Sequence, residues 1–124
     1  MQFQRVLFVD DNVLCNLEMC DALRGHGYRV VSTFCASAAF EILDRHQYLS
    51  ALITDIDLGP GPDGFDLARH ARAAYPHLPV VYISGSAAKR HAAEGVEGSI
   101  FISKPLGSRD MIAALESSIT HAET

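Results

Sequence analysis

Five short apolar runs, each rich in β-branched or aromatic residues, recur along the chain at residues 6–9, 29–32, 51–54, 80–84 and 99–103. Runs that are continuously apolar, rather than alternating, belong to strands buried on both faces of a parallel sheet. Longer stretches with helical spacing lie between them. Leu14, Leu17, Cys20 and Leu23 form one apolar stripe, entered through Asn12 as a cap and ended by Gly25. Ala38, Ile42 and Leu43 mark a second helix, with Thr33 or Ser37 at its entry. Leu67, Ala68, Ala71 and Ala74 mark a third, stopped before Pro76, and residues 87–94 a short fourth. Met111, Ile112, Leu115 and Ile119 carry the last, capped by Ser108 or Asp110. Strand and helix thus alternate five times. That pattern predicts an α/β domain, a doubly wound five-stranded parallel sheet with helices on both faces and right-handed crossovers.

The 124 residues are enough for one domain with a single core, and nothing along them reads as a linker or a repeat. With 48% hydrophobic and 20% charged residues, the composition argues against disorder. Ten Lys and Arg against 15 Asp and Glu give a net charge of −5, which lacks the basic footprint that nucleic-acid binding requires. No apolar run approaches the roughly 18 residues of a membrane span, and the first residues do not read as a signal peptide. Cys15, Cys20 and Cys35 are odd in number and lack CxxC spacing, so they read as small hydrophobes in a reducing compartment, the cytosol. His26, His46, His70, His77, His91 and His121 show no metal-ligand spacing with nearby carboxylates and read as structural.

In open α/β sheets the site forms outside the carboxyl ends of the strands. The first strand ends in Asp10-Asp11, the third in Asp55 followed by Ile56-Asp57, the fourth in Ser84-Gly85-Ser86 and the fifth in Lys104-Pro105. Each residue alone is a helix cap, a turn former or solvated surface. Together they bring three carboxylates, a hydroxyl and an ammonium to one end of one sheet. Two carboxylates about 5 Å apart repel by roughly 3 kcal/mol at an effective dielectric of 20. One ammonium offsets only part of that charge. A hard divalent ion with oxygen ligands, Mg²⁺ above all, resolves it and keeps waters free for a phosphoryl oxygen. The constellation reads as a Mg²⁺ site with a nucleophilic carboxylate.

Val9-Asp10-Asp11, the run from Leu52 to Leu58, Ile83-Ser84-Gly85-Ser86 and Lys104-Pro105, in this order, resemble the receiver domain of two-component response regulators. The resemblance runs from Val6 to Ile119 and implies one receiver domain over residues 1–124, of flavodoxin-like fold with strand order 2-1-3-4-5. It makes Asp55 the phosphoacceptor, Asp11 the direct Mg²⁺ ligand, Asp10 its partner acting through water, and Asp57 a ligand through its backbone carbonyl. By the same resemblance Ser84 hydrogen-bonds one phosphoryl oxygen and Lys104 pairs with another. Gly85 keeps the phosphoryl group accessible, and Phe101 takes the aromatic switch position that responds with Ser84. Lys104-Pro105 resembles the family's cis peptide, for which proline lowers the cost to about 1 kcal/mol or less. The implied phosphodonor is a sensor histidine kinase or a histidine phosphotransfer protein. The implied output is a separate downstream protein or self-association, through a face made by residues 87–94, Phe101 and the last helix. No enzyme turnover on an outside substrate is implied, beyond assisting its own phosphorylation and dephosphorylation.

Two features depart from the family pattern. The loop of residues 58–64 is one residue longer than the commonest spacing, and the switch residue is Phe101 rather than tyrosine, with no hydroxyl to anchor an outward rotamer. Two other readings remain. Asp55-Ile56-Asp57 also fits aspartate-nucleophile phosphatases of the haloacid dehalogenase type, although those carry the motif on the first strand and would leave Asp10-Asp11 without a role. A non-phosphorylated interaction module on the same fold is the other, although this chain keeps every acidic residue and the lysine. Met1 lies close to the first strand and no output domain follows it before Thr124, so a single-domain regulator or the receiver part of a longer protein both fit.

Overall fold

A computed structural model describes residues 4–85, 88–105 and 107–123. Strands and helices alternate throughout: β1 (Arg5–Val9), α1 (Val13–Gly25), β2 (Arg29–Thr33), α2 (Ala36–Asp44), β3 (Ala51–Asp55), α3 (Gly64–Ala74), β4 (Val80–Ser84), α4 (Ala88–Glu94), β5 (Ile100–Ser103) and α5 (Ser108–Glu123). The strands form one parallel sheet in the order β2-β1-β3-β4-β5. Of the expected fourth helix, Ala87 lies outside the described residues, as does Ser86.

The interior strands β3 and β4 are buried at every residue and β1 at all but its first, while the edge strands β2 and β5 are mostly half-buried. That gradient is why the central runs read as unbroken apolar segments. Side chains alternate across the sheet. Leu7, Val9, Leu52, Val80 and Tyr82 pack with Leu43 of α2 and Leu67 and Ala71 of α3. Val6, Phe8, Ile53, Val81 and Ile83 pack on the other side with Leu23 of α1 and Met111 and Leu115 of α5. Each fully buried Leu, Ile or Val of these layers stabilises the fold by about 1.5–3 kcal/mol. No described helix is long and apolar enough to cross a membrane.

Several expected details shift. Asn12 caps α1 by accepting from the Cys15 amide at 2.9 Å, as its position predicted. The inward face of α1, however, is Asn16, Met19, Cys20 and Leu23, whereas Leu14 and Leu17 are exposed at 68% and 54%. The helix runs through Gly25, and His26 is its C-terminal cap. Neither Thr33 nor Ser37 caps α2; Cys35 holds that position without a side-chain bond. Ser108 is the first residue of α5 rather than its cap, and the Gly107 carbonyl accepts from the Met111 amide. Asp63 caps α3 in a reciprocal capping box with Asp66. The three cysteines are free, and Cys20 is buried as a small hydrophobe.

Candidate functional site

Three parallel strands deliver the acidic and basic groups to one edge. β1 ends immediately before Asp10, β3 ends on Asp55, and β5 ends immediately before Lys104. Because β1 and β3 are adjacent in the sheet and their crossovers leave from the same end, both carboxylates meet there. Carboxylate oxygens of Asp10, Asp11 and Asp55 all lie within 4.8 Å of one another. Lys104 Nζ sits 3.0 Å from Asp55 Oδ2 and 3.2 Å from Asp10 Oδ2. Asp10 is wholly buried and Asp55 nearly so, while Asp11 is exposed. The expected convergence is therefore present for Asp10, Asp11, Asp55 and Lys104.

Burial pushes the Asp55 carboxyl up to about 6, against the opposing pull of Lys104 and with Asp10 adding to the rise. Burial works to lower the Lys104 ammonium, but the Asp55 and Asp10 carboxylates outweigh it and raise its proton affinity. A single lysine thus leaves the carboxylates undercompensated. Asp10 Oδ2 is buried with the lysine as an ion-pair neighbour but with no hydrogen bond of its own. Clustered hard oxygens with spare acceptor capacity fit a divalent cation such as Mg²⁺.

The remaining expected residues surround this centre. Ser84 is buried at the end of β4, and its carbonyl accepts from the Lys104 amide at 2.9 Å, which ties the ends of β4 and β5 together. Gly85 is exposed and a side chain there would meet open space. Asp57 is exposed, and its amide donates to Asp55 Oδ1 at 3.3 Å. The Lys104–Pro105 peptide is cis. Phe101 is half-buried and opposite Tyr82 in the β4–β5 register. Its ring lies 5.7 Å from that of His91, which in turn lies 5.4 Å from Tyr82.

Other residues shape the site without having stood out in the sequence. Asp10 Oδ1 accepts from the Asn12 amide at 2.9 Å, and the buried Asn16 side chain bonds the Asp10 carbonyl. A Cβ on Gly64 would collide with the Asp55 carbonyl oxygen and come within 2.9 Å of Ile56 Cα, so α3 starts flush against the Asp55 backbone. Cys15 lies beside the acids, where burial and Asp10 push its thiol up to about 11 and keep it protonated. An asparagine inside a helical segment was the one sequence signal that pointed to Asn16, since such residues favour caps and turns over helix interiors.

A parallel sheet that gathers three carboxylates, a buried hydroxyl and a lysine at its carboxyl edge defines a phosphoacceptor signalling domain of α/β architecture, rather than an enzyme in the ordinary sense. The model of the response regulator receiver domain matches residues 6–116, and the chain belongs to that family. It is 31% identical to the response regulator protein FleR of Pseudomonas aeruginosa over 87% of the chain but only 23% of that relative. It is 30% identical to the response regulator receiver protein CpdR of Brucella abortus over 91% of the chain and 94% of that protein. A response regulator receiver protein from Sinorhizobium medicae superposes with a TM-score of 0.94 at 32% identity, covering 98% of both chains. The receiver domain of the sensor histidine kinase PA1611 from Pseudomonas aeruginosa, with magnesium coordinated in its active-site cleft, has the same fold at 24% identity, with a TM-score of 0.80 over 96% of this chain and 99% of that one. As a two-component receiver, the domain works with a histidine kinase.

Proposed function

We propose that Asp55 is the phosphoacceptor of a single receiver domain that takes its phosphoryl group from a phosphohistidine of a sensor kinase or phosphotransfer protein. The observation that carries this reading is the buried Asp55 carboxylate held 3.0 Å from Lys104, with oxygens of Asp10 and Asp11 within 4.8 Å. Asp10, Asp11 and Asp55 would hold Mg²⁺, with the Asp57 carbonyl completing the protein's share, and that ion would neutralise the acids and the phosphoryl oxygens. A magnesium-bearing receiver of the same fold supports this.

The chain's own groups do the rest. An oxygen of Asp55 bonds to phosphorus as the P–N bond of the donor breaks, and the leaving imidazole takes a proton from solvent. Lys104 stays protonated and offsets charge on an equatorial oxygen, while the Ser84 hydroxyl donates to another. The exposed trio Val13, Leu14 and Leu17 begins two residues after Asp11 and would offer the phosphodonor an apolar contact surface on α1. Phosphorylation replaces the single charge of the Asp55 carboxylate with an acyl phosphate that carries about two, near Ser84. Phe101 then turns inward, and the face of α4, Phe101 and α5 changes for a downstream protein or a second copy.

Acetyl phosphate with Mg²⁺ should add one hydroxylamine-labile phosphoryl group, seen by intact mass, to wild type and none to Asp55→Asn. An unmodified wild type, or equal labelling of the variant, overturns the assignment.

A further inference from the structure

We infer that Asn16 is a positioning residue for the acidic site, a clamp whose carboxamide fixes the turn that presents Asp10 and Asp11. Asn16 is completely buried on α1, one turn past the Asn12 cap. Both of its donor hydrogens are used: Nδ2 donates to the Asp10 carbonyl at 3.0 Å and to the Thr33 carbonyl at 2.9 Å. Its Oδ1 accepts from the Cys20 thiol at 3.3 Å. Two carbonyls on one side and a thiol on the other leave a single sensible orientation of the amide.

The two carbonyls belong to different strand ends. The Thr33 carbonyl also accepts from the Asp10 amide at 3.3 Å, so the Asp10 peptide is held to β2 on one side and to α1 on the other. Asp11 follows directly, and its exposed side chain has no comparable anchor among the described contacts. Asp55 is fixed by its strand, whereas Asp10 and Asp11 stand on a turn. Mutual repulsion within the acidic cluster therefore acts first on that turn, and Asn16 opposes its displacement. The residue adds little to the helix itself, because an asparagine is a poor interior helix former and burying its amide is costly unless every polar atom is bonded. Leucine would suit the layer formed by Met19, Cys20 and Leu23. What asparagine supplies and leucine cannot is the pair of bonds to the turn.

The inference rests on the reading of the acids as a Mg²⁺ site, and the test separates the two. Mg²⁺ affinity is measured by calorimetry, and amide exchange at residues 10–12 is measured in metal-free protein, for wild type, Asn16→Leu and Leu115→Ala. Leu115 is buried on α5 in the same layer and, having no polar side-chain atom to bond the turn, serves as a destabilised control. Asn16→Leu should lose about tenfold in Mg²⁺ affinity, the usual scale for outer partners of ligands, and exchange faster at residues 10–12. Leu115→Ala should keep wild-type affinity despite equal or greater loss of stability by urea. An affinity within twofold of wild type in folded Asn16→Leu, or an equal loss in Leu115→Ala, overturns the inference. If Asn16→Leu does not fold, Asn16→Ser, with one donor left, is judged by the same limits. If wild type binds no Mg²⁺, the metal-site reading fails, and unchanged exchange at residues 10–12 overturns the Asn16 clamp separately.

Discussion

The two corners of the site edge are built on opposite principles. At the β1–α1 corner the groups are charged or polar and tied by directional bonds, Asp10 to Asn12 and Asn16, and Asn16 to Thr33 and Cys20, with Lys104 as the ion-pair neighbour of Asp10. At the β4–α4–β5 corner the contacts are between rings, with Phe65, Tyr82, His91 and Phe101 in sequence at centroid separations of 5.0, 5.4 and 5.7 Å. Polar ties frame these rings: the Tyr82 hydroxyl accepts from the Val96 amide, Ser99 donates to the Val96 carbonyl, and Arg90 of α4 pairs with Asp63 and Glu94. The Ser99 hydrogen is thereby used, so His91 Nε2 must carry a hydrogen to bond the Ser99 oxygen at 2.9 Å. Directional bonds hold carboxylates at fixed separations, whereas flat ring contacts tolerate sliding and rotation. One corner suits chemistry, and the other suits a change of shape.

That contrast breaks most visibly at Asp11. Asp11→Ala should lose Mg²⁺ binding and acetyl-phosphate labelling together, by more than the 10–100-fold typical of an outer partner; calorimetry and intact mass read the two quantities. Next in size is the electrostatic load at Asp55. Its carboxyl titrates near 6 in the folded protein against an ordinary 3.8, so the folded state holds an extra proton between those values and stability falls as pH rises through them. In EDTA at pH 7.5, Asp55→Asn should therefore be more stable to urea than wild type by about 1–3 kcal/mol. The gap should close as pH falls well below 3.8, where both folded and unfolded carboxyls are protonated.

The ring corner should respond in the opposite sense. Phe101→Ala should lose about 1–2 kcal/mol of stability, since the ring is only half-buried, yet keep wild-type Mg²⁺ affinity. A drop in affinity there would erase the division between the corners. Tyr82→Phe, the smallest perturbation, should cost about 0.5–1.5 kcal/mol by leaving the Val96 amide without its acceptor. Structures with and without beryllofluoride sharpen the comparison: Phe101 should change rotamer while the Asp10–Asn16 bond persists.

The legibility of the sequence followed the same division between side chains and backbone. β1, β3 and β4 were readable because burial on both faces leaves their interiors apolar, with polar residues only toward their ends. Asp10, Asp11, Asp55 and Lys104 were readable because strand ends mark position and charge marks chemistry. α1 was misread in part because it carries two apolar faces. Val13, Leu14 and Leu17 make one that points outward, and Met19, Cys20 and Leu23 make the one that packs; periodicity alone does not rank them. Asn16 and Gly64 were not read as site residues because each acts on backbone atoms distant in sequence, Asn16 on carbonyls and Gly64 by leaving room beside Asp55.

The lengthened loop after Asp55 is an arch between two fixed piers. One pier is β3 itself, and the other is the Gly64 seat, locked by the Gly64 amide on the Ile56 carbonyl and by the capping box of α3. Gly59 and Gly61 both adopt left-handed backbone, at φ 88° and 96°, so the span curls through positions that glycine alone occupies cheaply. Length added to such an arch goes into its crown and leaves the piers where they stand. If Asp55 is the phosphoacceptor as proposed, the rim that a partner would read can drift in shape and size while Asp55 keeps its place, and partner choice becomes separable from chemistry within a single turn of chain.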